Sequence, residues 1–488
     1  MEIITIENQV VCTNNDMTES GMSIKNLKKK IPYPIKQNLK YIYSLVPLPI
    51  RYGKLFRETY AFLQGSQWWS REKLEEYQLQ QLEKLLKHAY ENVPYYRMVF
   101  DERGLKPKDI KNIDDLKKVP YLTKDIVRHN LPDLIAQNYP KSKLQYVNTG
   151  GTTGIPLGFY WQKGVTDPKE WAFVWRGWNW AGYGFRQKRI TLRGNIINRF
   201  KNNNRQWWEY NPLDNALILS SYNMTEENLP QYIGKINKFK PTAIQGYPSS
   251  LAILANFLKN ENLRLEGINC VLTSSESMYQ HQREIVEKYL GTVIFDHYGN
   301  SERTALIMQC EEGNYHIISE YGIMELIAKD GNPVSEEGEG GEIIATGFNN
   351  YAMPFIRYRT GDIAVHSNQR CSCGRKYPSL KMIEGRMQAY LVDKTGSLIT
   401  FIYSEVALWN VKDKINAYQY VQDKPGKVLL NIDAKKNFSI SNIEIIKNTF
   451  LESYSRFDIE IKFVKNILKT KSGKFRYLVQ KLPIKFGV

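Results

Sequence analysis

Between about residues 140 and 365, short β-rich runs alternate with helical segments. AIQGY (243–247), NCVLTSS (269–275), TVIFDHYG (292–299), GIMELIA (322–328) and GEIIATG (341–347) read as strands, and YQHQREIVEKYL (279–290) as a helix. A chain with this rhythm is constrained to a layered α/β domain, because each element must bury its apolar side against another layer.

The flanks have different textures. Upstream, Leu74, Tyr77, Leu79, Leu82, Leu85, Leu86 and Tyr90 recur at roughly helical spacing, which predicts a long amphipathic helix stopping near Val93-Pro94. Residues 1–22 are polar and read as a poorly ordered leader. Beyond about residue 384 come the strand-like AYLVD, a Lys-Thr-Gly-Ser turn, KVLLNID, the helical SNIEIIKNTFLESYSRF and IEIKFVKNI. These predict a small α+β unit. The expected division is a 1–22 leader, a large domain over 23–384 and a small C-terminal domain over 385–488, hinged near 385–389.

A net charge of +17 suits phosphate-bearing partners (nucleotide, nucleic acid or an anionic membrane face), and equally a solvated basic surface. The lysines are scattered and no nucleic-acid module signature appears, so no nucleic-acid partner is expected. Peripheral membrane association stays open, and oligomeric state is unreadable. No run reaches the length of a membrane span and the N-terminus lacks the pattern of a secretory signal, which predicts a cytoplasmic protein. Five cysteines in 488 residues do not make a disulfide scaffold.

Four stretches carry chemistry. Thr149-Gly150-Gly151-Thr152-Thr153-Gly154-Ile155-Pro156 follows a strand-like LQYVN. Its glycines allow a tight loop with backbone N–H groups turned onto an anion, and its threonines add donors. It is not a Walker loop, since no Gly-Lys-Ser/Thr follows. Tyr298-Gly299-Asn300-Ser301-Glu302 sets an aromatic ring and a carboxylate at a strand end, suited to a purine and to Mg²⁺. In Arg357-Tyr358-Arg359-Thr360-Gly361-Asp362, Asp362 suits a ribose diol and arginine suits phosphate. Lys469-Thr470-Lys471-Ser472-Gly473-Lys474 offers a mobile cation near the C-terminus. Each alone reads equally well as a surface loop.

In this order and rough spacing, the four stretches resemble the motifs of the adenylate-forming superfamily of acyl-CoA synthetases, peptide-synthetase adenylation domains and luciferases. HAYENVPYYR, DIKNIDDLKKVPYLTKDIVR and CSCGRKYPSLKMIEGR are similar to its phenylacetate–CoA ligase and CapK branch. The resemblance implies a large multi-sheet α/β domain and a small mobile C-terminal domain. It implies ATP and Mg²⁺ as cofactors and a small-molecule carboxylate as substrate. Thr149, Gly150, Gly151, Thr152, Thr153 and Gly154 would hold the β- and γ-phosphates. Tyr298 would lie on adenine, flanked by Gly299, Asn300 and Ser301. Glu302 would bind Mg²⁺, Asp362 would hold the ribose with Arg386 nearby, and Lys474 would bridge carboxylate and α-phosphate.

Cys310, His316, Cys371 and Cys373 form a Cys₃His set suited to a structural Zn²⁺, as similar placements in the CapK-like group imply; the bland reading is two loops with reduced thiols. Cys270 reads as core, and His297 as either an acyl-pocket residue or a structural one. Trp171, Trp175, Trp178 and Trp180 predict an aromatic helix face, more core than ligand wall.

Two departures from the resembled pattern stand out. Gly150 occupies a position where relatives usually carry Ser. Gln388 stands where a hinge Asp is expected, and DKTGS replaces a Gly-rich turn. The second departure shifts the expected acceptor from CoA towards an amine or hydroxyl, such as a sugar in surface-polysaccharide assembly. A phenylacetate-type CoA ligase and an inactive adenylation fold acting as a basic binding protein are the alternatives.

Overall fold

A computed structural model describes residues 33–149, 157–193, 197, 199–201, 204–386, 390–396, 398–400, 407–408, 411, 414–467 and 476–482. The 1–22 leader, the residues expected to hold phosphate from Gly150 to Gly154, and Lys474 lie outside them.

The chain enters through helices α1 (Tyr33–Ser44), α2 (Leu48–Arg51), α3 (Gly53–Ser66), α4 (Arg71–Asn92), α5 (Pro94–Glu102) and α6 (Lys124–His129). Helix α4 is the long helix expected from the leucine spacing. Ser70 caps its start by accepting from the Lys73 N–H at 3.3 Å. Its end falls at Val93, held extended (φ −114°, ψ 107°) by the following proline. Leu82, Leu85, Leu86 and Ala89 face one way and are fully buried.

The hairpin β1 (Leu144–Asn148) and β2 (Gly158–Gln162) leads into α7 (Thr166–Trp180). Then follow β3 (Arg189–Arg193), β4 (Arg199–Lys201), β5 (Asn204–Gln206), β6 (Trp208–Asn211), β7 (Ala216–Ser220), α8 (Leu229–Phe239), β8 (Ala243–Gly246), α9 (Pro248–Asn260), β9 (Cys270–Ser274), α10 (Gln280–Leu290) and β10 (Ile294–Gly299). Next come β11 (Leu306–Gln309), β12 (Tyr315–Ile317), β13 (Gly322–Ile327), β14 (Gly340–Gly347), β15 (Tyr358–Ser367) and β16 (Ser379–Arg386).

Twelve of these strands form one sheet in the order β13-β14-β15-β16-β12-β11-β10-β9-β8-β3-β7-β6. Strands β7, β3, β8, β9 and β10 are mutually parallel, and the other pairings are antiparallel. The parallel strands are near-continuous apolar runs because both faces are covered. On one face α8, α9 and α10 contribute Tyr232, Leu251, Leu258 and Val286. On the other, α3 and α7 contribute Phe56, Trp175 and Trp178. The tryptophan helix is thus largely core, with Trp175, Trp178 and Trp180 buried, and Cys270 is buried in β9.

Strands β17 (Tyr390–Val392) and β18 (Leu398–Thr400) precede a second four-stranded sheet, ordered β21-β20-β19-β22. It comprises β19 (Ile415–Lys424), β20 (Lys427–Ala434), β21 (Asp458–Phe463) and β22 (Leu478–Gln480), with α11 (Ile440–Ser453) packed on it through Ile446 and Phe450. It touches the large sheet's layer where Gln282 Nε2 donates to Tyr477 Oη at 3.2 Å.

Gly322 opens β13 where no side chain fits: a Cβ there would lie 2.3 Å from the Thr346 carbonyl and 2.9 Å from that of Thr304. Both obstacles are backbone, so Gly322→Ala is expected to lower stability by about 1–3 kcal/mol. Denaturant unfolding measures it, and an unchanged midpoint would contradict the tight strand approach.

Candidate active site

Because β3, β8, β9 and β10 run parallel, Arg193, Gly246, Ser274 and Gly299 all finish at one edge of the sheet. Open α/β sheets bind ligands beyond such carboxyl ends. Strand β10 brings His297, Tyr298 and Gly299 there, and a tight loop follows.

That loop is held from three sides. Asn300 Oδ1 accepts from the Thr304 N–H at 2.9 Å, while its Nδ2 donates to Thr304 Oγ1 at 2.6 Å. The Trp161 indole N–H on β2 donates to the Ser301 carbonyl at 3.0 Å. Arg303 adopts a left-handed φ of +59°, which is uncommon for a side chain of its size. It is held by an ion pair to Glu170 of α7 at 2.5 Å and lies over the Trp161 ring at 4.8 Å. Tyr321 Oη donates to the same Glu170 carboxylate at 2.6 Å.

Two hydrogen bonds then join the loop and β10 to β15. Tyr298 Oη donates to Asp362 Oδ2 at 2.7 Å, and Tyr358 Oη donates to Glu302 Oε1 at 2.6 Å. Glu302 is 5% exposed. Burial pushes its pKa up, against the Tyr358 hydrogen bond, which pulls it down. Among the described residues no cationic side chain reaches ion-pair distance of Glu302. A buried acceptor-only carboxylate without a paired cation is a suitable ligand for a hard metal ion. His297 has its pKa lowered to about 4, first by burial and then by Arg193 and Arg303, so its imidazole is neutral.

Neither arginine of the Arg357–Asp362 stretch is free to meet a phosphate. Arg357, at φ +50°, donates to both Glu325 oxygens at 2.8 and 3.0 Å and to the carbonyls of Lys117 and Val119. Arg359 pairs with Glu342 at 2.6 Å. They clamp β15 so that Gly361 (φ +75°) can turn and present Asp362. Lys124, on α6, donates to the Thr360 carbonyl at 3.1 Å beside that turn.

Away from this edge, the ligand atoms of Cys310, His316, Cys371 and Cys373 lie within 4.8 Å of one another. Cys310 Sγ is 3.5 Å from Cys371 Sγ, and Cys373 Sγ is 3.4 Å from His316 Nε2. Tetrahedral zinc with bonds of about 2.0–2.3 Å needs ligand separations of this order. Burial, and then Arg375, lower the His316 pKa to about 4, against a hydrogen bond to the Tyr377 backbone, keeping the imidazole in its ligating neutral form. Arg375 bolts the two loops together by donating to both Glu311 oxygens at 2.9 and 2.8 Å.

The fold is shared with 2-hydroxyisobutyryl-CoA ligase, solved in the postadenylation state in complex with R3-HIB-AMP. The TM-score is 0.64 at 17% identity, over 85% of this chain and 91% of that one. A family model, the CapK C-terminal domain, matches residues 391–481. Protein CapK of Staphylococcus aureus is 26% identical over 83% of this chain and 89% of its own length. A phenylacetate–coenzyme A ligase of Escherichia coli is 31% identical over 60% of this chain and 67% of that protein. The chain belongs to the phenylacetate–coenzyme A ligase family.

This member of the phenylacetate–CoA ligase family is thus an adenylate-forming ligase by class. Of the residues expected at its site, Tyr298, Gly299, Asn300, Ser301, Glu302 and Asp362 come together at the sheet edge. Thr149 lies at the mouth of the β1–β2 hairpin, where its hydroxyl accepts from the Leu157 N–H at 3.0 Å. Thr152, Thr153, Gly150, Gly151, Gly154 and Lys474 lie outside the described residues, as does Gln388. Arg386 pairs with Asp362 across β15 and β16 through the backbone.

Sequence reasoning missed Trp161, Glu170, Tyr321 and Tyr358. Only Tyr358 carried a signal, since it sits within the Arg357–Asp362 stretch. Removing Glu170 strands a buried guanidinium, so Glu170→Ala is expected to cost about 3 kcal/mol. A thermal-melt comparison reads this directly, and a variant as stable as the parent would show that Asp167, 4.0 Å from Arg303, compensates alone.

Proposed function

We propose that this protein activates a carboxylic acid with ATP and passes the acyl group to an amine or hydroxyl acceptor in surface-polysaccharide assembly. In the first step a carboxylate oxygen attacks the α-phosphorus, the bond to the β-phosphate oxygen breaks, and acyl-AMP and pyrophosphate form. In the second, the acceptor attacks the acyl carbon and AMP leaves. The reading is carried by the meeting of distant motifs: Tyr298 with Asp362, Glu302 with Tyr358, and Ser301 with Trp161 of the hairpin that bears the Gly/Thr loop.

In this scheme Thr149, Thr152, Thr153 and the Gly150–Gly154 backbone hold the β- and γ-phosphates. Tyr298, its hydroxyl tied to Asp362, presents its ring to adenine, and Asp362 with Arg386 takes the ribose. Glu302 would hold Mg²⁺, which when bound offsets charge on the departing pyrophosphate. Lys474 stabilises charge developing between carboxylate and α-phosphate, then leaves as the C-terminal unit turns about residues 385–389. Similarity to CapK and the Gln388 substitution favour an amine or hydroxyl acceptor. The relatives named phenylacetate–CoA ligases keep CoA as the second reading. ATP-dependent activation of this kind fits a cytoplasmic location, where ATP is supplied.

Pyrophosphate release over a panel of acids tests the first step. Lys474→Ala should slow it by about a hundredfold or more with ATP affinity little changed; unaltered turnover would remove Lys474 from the chemistry. Supplying CoA and amino sugars in parallel separates the two acceptors.

The Cys₃His cluster would hold zinc as a structural ion, every position being filled by protein. Metal analysis of the purified chain should give one zinc ion, lost together with thermal stability in Cys373→Ala. A metal-free protein of unchanged melting temperature would mean four reduced side chains and no site.

A further inference from the structure

Arg193 ends β3 at the same sheet edge, partly exposed. Its neighbour in the sheet, β8, ends at Gly246, which has no side chain, and the guanidinium reaches across to β9. There a single nitrogen, Nη2, donates to Ser275 Oγ at 2.8 Å and to Ser274 Oγ at 3.3 Å. The Tyr247 ring lies 5.0 Å from the guanidinium carbon. Ser275 is held at a left-handed φ of +73°. Strain in a non-glycine residue persists where the surrounding structure imposes it, and it clusters at functional sites.

The serine hydroxyls and the ring orient this cation without neutralising it. Among the described residues no carboxylate pairs with Arg193, and its Nε and Nη1 have no hydrogen-bond partner. The acid closest in sequence to the serines, Glu276, accepts instead from the Ser249 N–H at the start of α9, at 3.0 Å. The other arginines nearby are spent: Arg303 on Glu170, Arg357 on Glu325 and Arg359 on Glu342. Ser274 is the register partner of His297, the residue before Tyr298, so Arg193 stands beside the proposed adenylation centre. Its charge contributes to the depressed His297 pKa.

We propose that Arg193 reads a second anionic group on the substrate, so that the acid activated here is a carboxylate bearing a further carboxylate or phosphate. This rests on the adenylation reading above. The planar fork, with Nε and Nη1 open, matches such a group, whereas a purely apolar acyl chain packed against it would strip water from the guanidinium without offering a partner.

The test is pyrophosphate release with pairs that match in size and differ in charge: glutarate against 5-methylhexanoate, and 4-carboxyphenylacetate against 4-nitrophenylacetate. The dianionic member of each pair should have the higher kcat/KM. Arg193→Leu should raise KM for the dianionic acids at least tenfold and reduce or reverse the preference, with KM for ATP unchanged. Arg193→Lys should restore part of the preference. Ser275→Ala, which loosens the orientation while keeping the charge, should weaken it, and melting curves check that each variant folds. Equal or better use of the neutral acids by the parent, or a preference unmoved in Arg193→Leu, overturns this inference and leaves the ligase reading standing. Silence with every acid, with ATP still bound, overturns both.

Discussion

Burying Arg303 costs several kcal/mol of hydration, and the structure recovers it through Glu170, with Asp167 nearby and Tyr321 completing the carboxylate's hydrogen bonds. Much follows from that cluster. It fixes α7 against the turn after β10 and holds Arg303 in a backbone conformation it would not adopt freely. With the Asn300–Thr304 hydrogen bonds and the Trp161–Ser301 contact, it leaves the Asn300–Arg303 loop one geometry. Glu302 is then directed inward to Tyr358. A loose loop would let that carboxylate turn to water, as an unpaired buried charge otherwise would.

The parallel strands supply the second constraint. Their shared direction gathers Arg193, Ser274 and Tyr298 at one edge although up to 105 residues separate them in the chain. The antiparallel half, by contrast, brings β15 back so that Asp362 faces Tyr298. Arg357 and Arg359 serve this return, each saturated by a carboxylate. Charge at the site is thereby sorted: Arg303, Arg357 and Arg359 brace the scaffold, and Arg193 has no carboxylate partner among the described residues.

The Cys₃His cluster shows how the same logic works away from the edge. Cys310 and His316 flank one turn and Cys371 and Cys373 another, and Arg375 bonded to Glu311 draws the two turns together. The cluster sits where β11, β12 and the approach to β16 meet, so anything bound there ties the large sheet to the chain entering the C-terminal unit.

Much of this was legible in the residues alone, because the signals are local. Strand and helix periods and the proline that ends α4 are set by near neighbours, and each chemistry-bearing stretch and each half of the Cys/His set is a short local pattern. Local chemistry also marked Tyr298, Glu302 and Asp362 as groups worth watching. It did not mark Glu170, Trp161 or Tyr321, since a glutamate on a tryptophan-rich helix becomes special only when a distant arginine is buried against it. Nor did it reveal that Arg357 and Arg359 are braces while Arg193 is not: all three are equally basic in one dimension. Which charge is left unpaired depends on which partners the fold brings within about 4 Å, and only the tertiary structure sets those distances.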